Sequence, residues 1–201
     1  MLNDPYFATV YNPKILTRLQ KHYGQFHQCH LDLPISSAAM LDMTLKMRQK
    51  KRRGEVVMLI PNEQGYFWTH TKSFYPAGVY RLMTGGLEAD EKPAEALRRE
   101  VLEETGFKVK IERCLAVITY HLQAGEVNLP FVSYVFLTAP TTGLPHPTDP
   151  GEDIAHFQAI PETDLPQMAQ QLRSISGPFA DWGIFRAAAH QVAYEQLCKR
   201  D

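Results

Sequence analysis

Three glutamates, Glu100, Glu103 and Glu104, stand at i, i+3 and i+4 in ALRREVLEETGF, a stretch with helical spacing. On a helix their carboxylates share an arc of about 100°. The last two fall in the turn before Gly106, where the helix dipole disfavours anions by ~0.3 to 1 kcal/mol each, before their mutual repulsion is counted. A hard divalent cation with oxygen ligands offsets this, and Mg²⁺ is the natural one, since it accepts a few carboxylates and keeps its remaining positions for water and phosphate. Gly85 and Gly86, just upstream, let backbone approach a phosphate or metal where a side chain would obstruct it. Taken alone, EALRREVLEE would be a solvated, charge-laced surface helix. The flanking glycines and the full spacing favour a metal platform for phosphate chemistry.

Residues 85–107, GGLEADEKPAEALRREVLEETGF, satisfy G-x5-E-x7-R-E-U-x-E-E-x-G-U at every position, with U a bulky apolar residue. Such a match arises by chance roughly once in 10⁸ starting points. The segment resembles the Nudix box. That resemblance implies a Nudix-like αβα sandwich, and a hydrolase that splits the diphosphate linkage of a nucleoside diphosphate joined to another moiety, such as ADP-ribose or a nucleotide sugar. It implies that Glu100, Glu103 and Glu104 bind Mg²⁺, with Mn²⁺ as a substitute, and that Arg99 orients them. It gives Glu91 a supporting hydrogen-bond role at the loop. Members of the family differ in the location of the general base, some using a box glutamate and others a carboxylate on a late loop. Asp149, Glu152 and Asp153 lie on such a loop, and Glu152 is the candidate. The catalytic set expected is therefore Arg99, Glu103, Glu104 and Glu152. Thr84 departs from the proline common ahead of the paired glycines. Tyr120 lies too near and Pro130 too far to match the downstream markers of particular subfamilies, so the substrate stays open.

The elements that must position these residues follow from punctuation and periodicity. Asn12-Pro13 and Gly24 delimit a helix over 13–23, and a strand is expected near 25–31. Pro34 and Ser36 or Ser37 open a second helix running to Arg53, with Gly54 as its stop. From Glu55, VVMLI, a turn at Asn62 to Gly65 and YFWT read as a β-hairpin. A strand near 79–83 runs into the glycines, and the box helix spans 93–104. Strands over 107–122 and 127–138 pair antiparallel about Gly125. A Pro-rich surface loop follows, then the strand DIAHFQAI, and helices near 162–172 and 181–198. The class is α/β (α+β), a mixed central sheet flanked by helices on both sides. Residues 1–54 form an N-terminal helical extension, and residues 55–201 the Nudix domain.

The 201 residues include 44% hydrophobic and 21% charged residues, as in ordinary globular proteins. A net charge of -1 gives no footprint for nucleic acid or a membrane surface. Cys29, Cys114 and Cys198 are scattered and odd in number, which favours a reducing, cytoplasmic setting; neither a membrane span nor a secretory signal is apparent. KMRQKKRRG, residues 46–54, is a basic run that could hold polyanions, but it also suits a helix C-terminus. His22, His27, Cys29 and His30 lack a familiar zinc spacing. Tyr66, Phe67, Trp68, Phe74, Tyr75 and Tyr80 belong mostly to the core, with one or two available to stack on a ring. Ile35, Met40, Leu41 and Leu45 offer an apolar surface for a homodimer contact. The rival function class is a diphosphate sensor without turnover; the intact set of box glutamates favours the enzyme. An isomerase on the same fold would need a cysteine in a suitable motif, and none is placed so.

Overall fold

The computed structural model describes residues 4–88 and 90–199. The chain order is α1 (Pro5–Val10), α2 (Pro13–Tyr23), β1 (His27–Pro34), α3 (Ala38–Gln49), β2 (Gly54–Leu59), β3 (Phe67–Lys72) and β4 (Arg81–Gly86), followed by α4 (Pro93–Thr105). Then come β5 (Ile111–Ala124), β6 (Val127–Thr138), β7 (Ile154–Ile160), α5 (Leu165–Arg173) and α6 (Ala180–Leu197). The strands form one seven-stranded sheet in the order β1-β5-β6-β2-β4-β3-β7. It is mixed: β1 runs parallel to β5 and β2 to β6, while the other neighbours are antiparallel.

Strand alternation splits the core into two layers. Val56, Met58 and Ile60 join the cluster under α1, α2 and α4, which includes Leu19, Leu97 and Val101. Val57 and Leu59 point the other way, to the cluster with Met40, Met168, Trp182 and Phe185 from α3, α5 and α6. Residues of β6 divide likewise, Val132, Tyr134 and Phe136 against Phe131, Val135 and Leu137. Helices therefore cover both faces of the sheet, as the α+β sandwich requires.

Several expectations change in detail. The turn at Asn62 forms, with Asn62 Oδ1 accepting from the Gln64 and Tyr66 amides at 3.0 and 2.9 Å and Gly65 at φ 81°. It does not make a simple hairpin. Beyond a single bridge between Pro61 and Phe67, β3 and β2 part, and β4 lies between them. The wedge satisfies both backbone edges of the fully buried β2, one through β6 and the other through β4. Helix α3 stops at Gln49, ahead of the expected Arg53. Lys51, at φ 57°, makes the left-handed turn, and the Arg52 amide closes onto the Met47 carbonyl at 2.9 Å. Gly54 opens β2 instead, where an added Cβ would crowd Val132 Cγ1 at 3.1 Å. The short helix α1 had no sequence counterpart; Asp4 Oδ1 caps it by accepting from the Phe7 amide at 2.9 Å. Residues 27–34 give β1, an edge strand of the same sheet. Of the four apolar residues expected at a surface, Ile35 and Met40 are buried in the core, whereas Leu41 and Leu45 remain exposed. Among the described residues no helix is long and apolar enough to cross a membrane.

Candidate active site

Helix α4 carries the site because both of its ends are well determined. Pro93 occupies the first turn, and the Glu95 carboxylate accepts from the Lys92 backbone amide at 3.4 Å. Gly106, left-handed at φ 72°, ends the helix, its amide donating to Leu102. Ala96, Leu97 and Val101 are fully buried against the sheet. The glutamates occupy the remaining arc.

Arg99 ties them together. Its Nε and Nη2 donate to the two oxygens of Glu91 at 2.9 and 2.8 Å, a bidentate fork. Its Nη1 donates to Glu100 at 2.8 Å and Glu103 at 3.1 Å, and Nη2 also reaches the Gly86 carbonyl at 2.9 Å. Hydrogen bonding to Glu91 above all raises the Arg99 pKa. Partial burial works to raise the Glu91 carboxyl, but bonds from Arg99 and from the Glu88 amide outweigh it and hold the group below its usual range. Glu100 is pushed upward by burial against the pull of Arg99. Gly85 has a steric reason to be glycine, since a Cβ there would overlap the Glu100 side chain. At Gly86 a Cβ would meet the Arg52 guanidinium.

Glu152 enters from the far side of the chain. Carboxylate oxygens of Glu100, Glu103 and Glu152 lie within 4.8 Å of one another, the one grouping of metal-ligating side chains found among the described residues. His22, His27, Cys29 and His30 form no such group. The Pro-rich loop delivers Glu152 by satisfying the open end of α4. The His146 amide donates to Thr105 O at 2.9 Å, the Thr148 amide to Glu103 O at 2.9 Å and the Thr148 hydroxyl to Leu102 O at 2.8 Å. Asp149 then caps a short 3₁₀ turn over Pro150–Glu152 by accepting from the Gly151 amide at 2.7 Å.

Glu104 lies behind this trio, 1% exposed, and its Oε2 has no hydrogen-bond partner. Lys72 Nζ is 3.6 Å from Glu104 and 2.9 Å from Glu152, and His70 Nδ1 is 3.9 Å from Glu104. Burial pushes the Glu104 carboxyl up to about 8, against the opposing pull of Lys72 and Arg81. Burial likewise drives His70 well below its ordinary value, helped by Arg81 and Lys72. A divalent cation fits this donor set, with all-oxygen ligands, clustered carboxylates and a desolvated acceptor lacking a donor. No spacing in the sequence pointed to His70, Lys72 or Arg81, which reach the box only through the sheet.

A cleft of about 290 Å³ opens beside the glycine pair, lined by Gly85, Gly86, Lys72, Tyr75 and Trp182 together with the end of α3. A larger groove of about 630 Å³ runs between α2 and the start of α4, but it contains none of Glu100, Glu103 or Glu152.

The box helix and its acidic neighbours lie within a region, residues 51–183, that matches the NUDIX domain. This chain belongs to the NUDIX domain family. It is a Nudix hydrolase. The fold is similar to that of the MutT protein from Methanosarcina mazei Go1, at 17% identity and a TM-score of 0.50, covering 74% of this chain and 96% of that one. It is also similar to the E. coli ORF135 protein, at 18% identity and a TM-score of 0.50, covering 74% of this chain and 94% of that one. No curated protein matches this chain.

Proposed function

We propose that the chain is a Mg²⁺-dependent hydrolase that cleaves the diphosphate linkage of a nucleoside diphosphate joined to another moiety. The observation that carries this is the approach of Glu152 to Glu100 and Glu103 within 4.8 Å. Glu100 and Glu103 would hold the cation, with Glu104 as the further helix carboxylate. A divalent cation there supplies Lewis acidity toward a phosphoryl oxygen and neutralises charge on the departing phosphate. Arg99 fixes Glu100 and Glu103 while Glu91 fixes Arg99, so that the carboxylates need no reorganisation when substrate arrives. The backbone at Gly85 and Gly86 admits the diphosphate. Glu152, across from the helix, accepts the proton of the attacking water. The test is a panel of nucleotide diphosphates with Mg²⁺, followed by product analysis. Hydrolysis that stops in EDTA and returns on adding Mg²⁺ is the expected result. Full turnover in excess EDTA, or no turnover of any diphosphate, overturns the proposal.

A further inference from the structure

The cleft beside the glycine pair carries more positive charge than its own acids can balance. Its lining includes Lys46, Lys50, Arg52, Lys72, Arg81 and Arg186 against the single acid Glu55. Three of these cations are already paired, Arg186 with the cleft's own acid. Lys46 pairs with Asp42 at 2.7 Å, Lys72 with Glu152 at 2.9 Å, and Arg186 with Glu55 at 2.8 Å. Lys50 and Arg52 make no side-chain hydrogen bond or ion pair among the described residues, although the Arg52 guanidinium lies directly over Gly86.

Arg81 is the decisive group. It is 4% exposed, yet its donors meet only neutral acceptors: Tyr75 Oη, the Leu82 carbonyl at 2.7 Å and Thr84 Oγ1 at 3.1 Å. Among the described residues no carboxylate oxygen lies within 4.0 Å of it, and Glu104 acts on it only at longer range. Burying a guanidinium without a counter-ion is costly, and an anion in the adjoining cleft would offset that cost. A planar fork and mobile ammonium groups around one space suit a tetrahedral anion with several oxygens. Tyr75 and Trp182, packed on each other with ring centroids 4.9 Å apart, give the cleft an apolar wall for the less polar body that bears it.

We infer that this cleft is a subsite for a phosphate monoester on the substrate, distinct from the diphosphate that is cleaved, with Arg81 at its floor and Lys50 and Arg52 at its rim. Lys50 lies outside the region matching the family, and Arg52 lies at its first residues. The N-terminal segment thus contributes to substrate choice. This assignment rests on the hydrolase proposal for its substrate, but its test uses binding alone.

Inorganic tripolyphosphate and, separately, the oxidised nicotinamide dinucleotides with and without the adenosine phosphate monoester are titrated calorimetrically into the full chain in EDTA. Wild type is expected to bind tripolyphosphate and to prefer the monoester-bearing dinucleotide by at least about tenfold. The K50Q/R52Q double variant, changed only at solvent-exposed side chains, should lose both by a similar factor. Unaltered tripolyphosphate affinity in that variant, or no binding by wild type, overturns the subsite. Tripolyphosphate binding that depends on Lys50 and Arg52 without any dinucleotide preference assigns the cleft to a free anion and overturns the substrate assignment. Failure of the hydrolase proposal would show separately, as absent turnover with binding intact.

Discussion

The backbone amide of Thr148 donates at 2.9 Å to the carbonyl of Glu103, and its hydroxyl donates at 2.8 Å to the carbonyl one residue earlier. The late loop therefore ends the box helix and carries Glu152 to the box carboxylates in one arrangement. Thr148→Val keeps the shape but removes the hydroxyl donor. Stability is expected to fall by ~0.5 to 1.5 kcal/mol, with weaker cation binding as Glu152 loosens. Calorimetric unfolding in EDTA, with a metal titration, checks both; an unchanged thermal midpoint would mean that water serves that carbonyl equally well.

Glu103→Gln retains size and hydrogen bonding but removes a ligand charge. Turnover with Mg²⁺ should drop by about 10² to 10³. The helix end loses an unfavourable anion and also the ionic part of its 3.1 Å contact with Arg99, so stability in EDTA should stay within ~1 kcal/mol of wild type. Loss of activity accompanied by unfolding would show that Glu103 is structural.

Gly85→Ala tests the packing of the loop against the helix. The new Cβ overlaps the Glu100 side chain, so that carboxylate must swing away from Glu103 and Glu152. Metal affinity should fall by about tenfold or more, as when a ligand loses its support. Gly78→Ala serves as a control for strain, since Gly78 lies at φ 75° with open space about its Cβ position. Equal metal binding in G85A and wild type would remove the proposed reason for glycine at this position.

A pH dependence follows from His190 on α6. Nε2 accepts from the Leu82 amide of β4 at 2.9 Å, while Nδ1 lies 2.9 Å from the Arg186 carbonyl, so the neutral ring carries its proton on Nδ1. Burial lowers its pKa from 6.5 to about 3, with Arg81, Arg186 and Arg173 adding to the effect against the Arg186 carbonyl. The folded value lies below the unfolded one, so the unfolded chain takes up the proton first. The contribution is fully present above pH 6.5 and is lost as pH falls toward about 3. The slope should approach ~1.4 kcal/mol per pH unit on the acid side of the unfolded value. Glu104, with its raised pKa, works in the opposite sense, so the difference between wild type and His190→Gln isolates the histidine. Urea midpoints between pH 8 and 5 provide the measurement, and parallel curves for the two proteins would exclude His190 as the cause.

The box helix was legible from sequence because its determinants are local. Pro93 at the first turn, the buried stripe of Leu97 and Val101, and Gly106 in a left-handed conformation all lie within one short segment. The same holds for β5 and β6, a hairpin closed at Gly125. Pairwise placement across the chain was not legible. Nothing periodic in 55–86 says that β4 should lie between β2 and β3, since that depends on which strand satisfies the edges of a buried β2. The candidate site divides along the same line. Spacing alone put Glu100, Glu103 and Glu104 on one helical arc. Tertiary structure brought Glu152 to Glu100 and Glu103, and set Glu104 apart beside His70 and Lys72. It also gathered Arg52, Arg81 and Arg186 around one cleft from three different elements and loops. A helix repeats its geometry every few residues and so records its faces in sequence. Contacts between residues far apart in the chain depend on how the sheet is ordered, and no local pattern encodes that order.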